Sequence, residues 1–205
     1  METKVQQILD LEKEILACTN CPRLREVTKY PMSHVCFNKT LDVPLFVIGR
    51  NPGLEDSYAD VKPEDFKATY YKNWLKCKFG TYFLDLIGKE NLTKFFFTNV
   101  CKCSSPENSM LSRKEKEGCT EAWLKKQIDL VAPKVILAFG KDAMNALAGQ
   151  KNTVKFFEKF KLGEILCVSL YHPGYFGHVE NEEAKAKQET ILREIGRKLQ
   201  QKEKE

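Results

Sequence analysis

Four cysteines carry the spacing of ligands to one metal centre. Cys18 and Cys21 form a C-x2-C pair near the N-terminus, and Cys103 and Cys119 follow far downstream with fifteen residues between them. A thiolate cage needs preset ligand positions, so a split set of this kind ties the N-terminal segment onto the body of the fold. Four thiolates suit a zinc ion or an iron–sulfur cluster alike, and the spacing leaves both open. Cys36, Cys77, Cys101 and Cys167 show no ligand pattern; Cys101 and Cys167 fall in or beside apolar runs and read as core.

The second group of residues is polar. Gly49-Arg50-Asn51-Pro52-Gly53 combines two glycines, which permit close backbone approach, with a proline that stiffens the turn. It is neither a dinucleotide fingerprint nor a phosphate-binding P-loop, since G-x-G-x-x-G and Gly-Lys-Ser/Thr are both absent. Its bland reading is an ordinary strand-to-helix connection. Asn99 offers one acceptor and two donors, enough to read the edge of an unstacked pyrimidine, although a strand-end cap would use the same groups. His172 is one of three histidines. The Pro173-Gly174-Tyr175-Phe176-Gly177 stretch after it makes an aromatic-tipped turn that could wedge into stacked bases or simply pack.

These groups need elements to hold them. Short apolar runs at residues 44–48, 95–100, 134–139 and 165–170 read as buried strands. Helical periodicity fills residues 5–17, part of 66–87, 113–131, 141–147 and 182–199. Alternation of strands and helices predicts a three-layer α/β/α domain around a central, mostly parallel four-stranded sheet, spanning residues 1–205 as one unit with a frayed C-terminal tail. In such sheets function gathers beyond the carboxyl ends of the strands. Gly49–Gly53, Asn99, Gly140 and His172 all follow predicted strands, so they are expected along one edge. Glu55 and Asp56 read as the start of a helix.

Composition narrows the classes. Hydrophobic residues at 42% and charged ones at 30% of 205 residues argue against a disordered chain. No apolar run approaches the ~20 residues of a bilayer span, and the N-terminus is not a signal peptide. An intracellular, cytoplasmic monomer with no membrane partner is expected. Eight cysteines in that setting point to metal ligation or buried thiols rather than disulfides. The net charge of +5 suits a phosphate-backbone partner without establishing one.

Taken jointly, the motifs resemble the uracil-DNA glycosylase superfamily, most closely its iron–sulfur (family 4) branch. The likeness runs in order over roughly residues 8–200. It rests on Cys18-Thr-Asn-Cys21-Pro, Gly49-x-x-Pro52-Gly53-x-Glu55-Asp56, Thr98-Asn99-Val100-x-Lys102-Cys103, Cys119 with Trp123 and Gln127, Gly140-x-x-Ala143, and His172-Pro173. The resemblance implies a [4Fe–4S] cluster on Cys18, Cys21, Cys103 and Cys119, with zinc as the alternative. It also implies release of uracil or another deaminated base from damaged DNA, with Asn51 orienting water, His172 assisting departure of the base and Asn99 reading it. Gly49, Pro52 and Gly53 would line the base site. The short Pro-Phe-x-Gly segment that supplies the family's stacking aromatic is replaced by a longer stretch, residues 57–80, in which Phe79 before Gly80 is the candidate for stacking; Gly174, Tyr175 and Phe176 would form the wedge. The iron–sulfur branch usually has Glu-Ala where this chain has Arg50-Asn51; Gly-x-Asn-Pro-Gly is instead similar to the mismatch-directed and single-strand-selective branches. A non-catalytic iron–sulfur nucleic-acid binder and a zinc-stabilised nucleotide hydrolase are the rival readings.

Overall fold

The computed structural model describes residues 3–53, 58, 60–149 and 155–201. The helix start expected at Glu55 and Asp56 lies outside the described residues. A six-stranded sheet organises the rest. Its strands are β1 (Val35–Cys36), β2 (Leu45–Gly49), β3 (Phe95–Asn99), β4 (Val135–Phe139), β5 (Lys159–Leu162) and β6 (Ile165–Leu170), in the order β1-β3-β2-β4-β6-β5. The inner four run parallel, as the apolar runs predict; β1 and β5 add an antiparallel strand at each edge. The expected four-stranded sheet is thus six-stranded, because the two edge strands are too short or too polar to read as buried runs.

Alternation along the inner strands builds two cores. Phe46 and Ile48, with Phe96, Ile136, Ala138 and Cys167, face helices α1 (Lys4–Leu16), α6 (Lys125–Val131) and α7 (Lys141–Ala148). Leu45 and Val47, with Phe95, Phe97, Leu137, Phe139 and Leu170, face α3 (Pro63–Lys76), α4 (Lys78–Ile87) and α8 (Glu182–Gln201). Successive side chains of a strand point to opposite faces, so one register serves both layers. Each fully buried Phe here contributes about 1.5–3 kcal/mol in transfer terms. The result is the expected α/β/α sandwich. Among the described residues no helix is long and apolar enough to cross a membrane.

Two helical predictions divide. The 66–87 stretch breaks at Cys77, whose Sγ accepts from the Gly80 N–H at 3.3 Å and caps α4. Only glycine fits at position 80, since a Cβ there would lie 2.0 Å from the Trp74 carbonyl oxygen. The 113–131 stretch runs as α5 (Arg113–Cys119), a wider π-helical turn at Thr120–Leu124, and α6. A short helix α2 (Pro22–Arg25) starts directly after Cys21.

Candidate functional site

Strands β2 and β3 end in register, Gly49 opposite Asn99. The Asn99 side chain leans over Gly49: a Cβ at position 49 would stand 2.5 Å from Asn99 Oδ1. Glycine is therefore the residue that lets this buried amide occupy its place. Beneath it lies a lysine that the sequence pattern left without a role. Lys102 is only 2% exposed and donates to Asn99 O (2.6 Å), Thr98 Oγ1 (2.7 Å) and Gln127 Oε1 (2.7 Å). Three ammonium donors meet three acceptors, which satisfies a group that is otherwise costly to bury. Burial lowers its pKa to about 8. Gln127 in turn donates to Ser33 O at 3.1 Å, so the network pins β3 to the helix across the core. Its sequence signals are a lysine inside a run of buried residues and its place in the Thr98-Asn99-Val100-x-Lys102-Cys103 motif.

The loop after β2 is stitched to the segment after β3. Val100 N–H donates to Gly49 O, Cys101 N–H to Arg50 O, and Ser104 Oγ to Gly53 O. Pro52 is buried within this loop. Asn51 is engaged on both sides of its amide. Oδ1 accepts from Arg50 Nε at 2.7 Å, while Nδ2 donates to Pro52 O at 3.0 Å and Ser105 Oγ at 3.4 Å. A guanidinium only donates, which fixes the orientation of the amide.

His172 follows β6, next to Gly140 at the end of β4; Gly140 N–H donates to Leu170 O at 2.8 Å. Gly174 N–H donates to His172 Nδ1 at 3.2 Å, so the neutral imidazole carries its proton on Nε2. The surrounding protein lowers the His172 pKa, and the Arg50 charge lowers it further. The residue is exposed to solvent, and these neighbours bias its ring towards the neutral form. Phe79 lies between the groups, its ring 5.1 Å from Phe97, 5.0 Å from Phe139 and 5.7 Å from His172. The strand ends thus bring Asn99, Arg50, Asn51, Phe79 and His172 to one edge of the sheet. Tyr175 and Phe176 sit half-buried in a short helical turn beside it, with Tyr171 stacked between Phe156 (3.7 Å) and Tyr175 (4.5 Å). Gly174 is exposed at the start of that turn.

The thiols form a second site, reached by the same segment after β3. Cys18, Cys21, Cys103 and Cys119 line one cavity of about 330 Å³, together with Cys101 and Trp123. Cys101, expected as core, is buried and also lines this cavity, because the chain turns inward after β3. Among the described residues no three Cys, His, Asp or Glu side chains converge tightly enough for a single ion. By type, four cysteine thiols are the donor set of an iron–sulfur cluster or of a zinc ion. Burial raises Cys21 and Cys103, the latter to about 12. Cys101 and Cys119 share a proton contact that raises the first and lowers the second, with Lys102 lowering Cys119 further. Arg23 clamps the wall: Nε and Nη2 donate to the two oxygens of Glu115 at 3.0 and 2.9 Å, and Nη1 to Ser109 Oγ at 2.9 Å. Glu115 also closes a capping box with Ser112 at the start of α5. Side chains therefore join the C-x2-C segment to the helix that carries Cys119.

Residues 37–196 match the model of the uracil DNA glycosylase superfamily. The type-4 uracil-DNA glycosylase of Archaeoglobus fulgidus is 23% identical over 181 residues, covering 82% of this chain and 82% of that protein. The chain belongs to the uracil-DNA glycosylase superfamily.

Proposed function

We propose that this superfamily member is a monofunctional DNA glycosylase that extrudes uracil or another deaminated base and releases it hydrolytically, leaving an abasic site. The observation that carries the reading is the shared edge on which the Asn99 amide stands over Gly49, His172 keeps its Nε2 proton, and Phe79 lies beside the imidazole. The DNA glycosylase role itself follows from the family.

Extruding a nucleotide costs a few kcal/mol, least for a mispaired base. Phe79 stacks on the extruded ring, and stacking of this type contributes about 1–3 kcal/mol. Asn99 donates from Nδ2 to O4 and accepts at Oδ1 from N3–H. Cytosine reverses both groups and leaves the buried amide mismatched, at about 1–3 kcal/mol. His172 donates from Nε2 to the departing base as negative charge builds on it; a preorganised donor of this kind contributes about 3 kcal/mol. Asn51 orients the attacking water towards an electrophilic sugar. Arg50 already occupies one of the two acceptor sites of its oxygen, which leaves a single lone pair for the water. Lys102 is committed to three acceptors and is not a Schiff-base nucleophile. Tyr175 and Phe176 fill the gap left in the duplex.

Cys18, Cys21, Cys103 and Cys119 would hold a [4Fe–4S] cluster. Four cysteines lining one cavity support this reading, with zinc as the alternative. When bound, the cluster supplies a covalent tie between the N-terminal segment, the chain after β3 and α5. The residues at the strand ends perform the excision.

The test is a single-turnover assay on duplex and single-stranded oligonucleotides carrying one uracil, hypoxanthine or mismatched thymine. Alkali-labile strand breaks at uracil are expected. Binding without any such product on the whole panel would establish the rival reading, a non-catalytic DNA binder, which the Arg50–Asn51 hydrogen bond favours.

A further inference from the structure

The cavity holds one thiol more than a four-iron cluster needs. Cys101 lines it beside Cys18, Cys21, Cys103 and Cys119, and is itself only 1% exposed. Its Sγ lies 3.6 Å from the carbonyl oxygen of Glu115, one helical turn before Cys119, so the two sulfurs occupy the same corner. Cys103 enters from the next turn of chain, beyond Lys102.

We propose that the cavity is a five-thiol site in which Cys101 serves as an alternate ligand at the Cys119 corner. The inference rests on the cluster reading above. In the exchange, one iron–sulfur bond to Cys119 breaks and one to Cys101 forms. The proton of the incoming Cys101 thiol passes to the departing Cys119 thiolate beside it, so no oxidant or reductant is required. Such a spare ligand suits a cluster that must survive transient loss of one bond. It also explains a thiol where a methyl or hydroxyl would fill the same corner.

Anaerobically purified protein tests this by iron content and absorbance in the 400 nm region. Wild type and Cys101→Ser are expected to carry about four irons per chain. Cys119→Ser should retain at least half of that iron with an altered electron paramagnetic resonance signal, whereas Cys101→Ser/Cys119→Ser and Cys103→Ser should lose it. An iron-free Cys119→Ser alongside an iron-loaded wild type overturns the alternate ligand and leaves the cluster standing; an iron-free wild type overturns both. A second measurement uses only folded, loaded protein. Chelator should bleach Cys101→Ser at least threefold faster than wild type, and equal rates overturn the proposal even if Cys119→Ser fails to fold.

Discussion

The strand-end edge and the thiol cavity are both built on one segment, residues 99–105, and are organised by different means. At the edge, sheet register and backbone hydrogen bonds place Gly49, Asn99 and the loop after β2, α4 places Phe79, and local partners hold Lys102 (three acceptors) and Asn51 (Arg50, Pro52 and Ser105). In the cavity, elements distant in sequence meet through side chains, and burial pushes Cys21 and Cys103 away from the thiolate form that ligation requires. The edge is held by protein groups alone, whereas the cavity gathers five thiols among Arg23, Arg25, Lys102 and Lys114. Chemistry can therefore reside in the first while the second acts as a fastener.

Four measurements probe that division. His172→Ala should slow base release about 10²–10³-fold in single turnover, as loss of a preorganised donor does, with DNA affinity within about twofold and iron content unchanged. Loss of iron in this variant would show that the two regions are not separable. Gly49→Ala forces a methyl to within 2.5 Å of Asn99 Oδ1. Displacing the amide should cost about 1–3 kcal/mol of discrimination, roughly 5–150-fold in the uracil-to-cytosine rate ratio, while melting temperature stays nearly constant.

The third probe is acid. His34 is buried, bonded to Ser33 Oγ at 3.0 Å and stacked on Phe96, and burial lowers its pKa to about 3. Below its ordinary value of about 6.5 the unfolded chain binds the proton that the folded chain refuses. Stability therefore falls as pH drops from about 6.5 towards 3, by up to about 1.4 kcal/mol per pH unit. Urea unfolding at pH 7 and pH 5 should differ by about 2 kcal/mol from this group, and His34→Asn should remove that part of the slope. The smallest effect is expected at the clamp. Arg23→Ala should speed chelator extraction of iron about 10-fold, as loss of an outer-shell partner does, and leave the excision rate of loaded protein within twofold. A large fall in excision would place the clamp in the chemistry.

Much of this was legible in the sequence, for reasons specific to each element. The inner strands are runs of Val, Ile and Phe that only a doubly covered sheet can bury, so their existence and order of function were visible. Val35–Cys36 is too short to announce itself, and Lys159–Leu162 alternates lysine with apolar residues on an exposed edge. The break at Cys77 depends on a sulfur capping a helix, a role that helix periodicity does not encode. At the site, residues that follow strands were found because topology sends them to one edge. The grip of Arg50 on Asn51 is a matter of rotamer, and the Lys102–Gln127–Ser33 network joins residues far apart in the chain. Cys101 read as core because burial and cavity lining look alike in sequence.

The last rung of the parallel ladder, Gly49 against Asn99, couples assembly to recognition. A one-residue slip of β2 would exchange the two interior layers and bring Ile48 opposite Asn99, where only glycine leaves room for the amide. A misthreaded chain would thus be both badly packed and unable to hold that amide at the sheet edge.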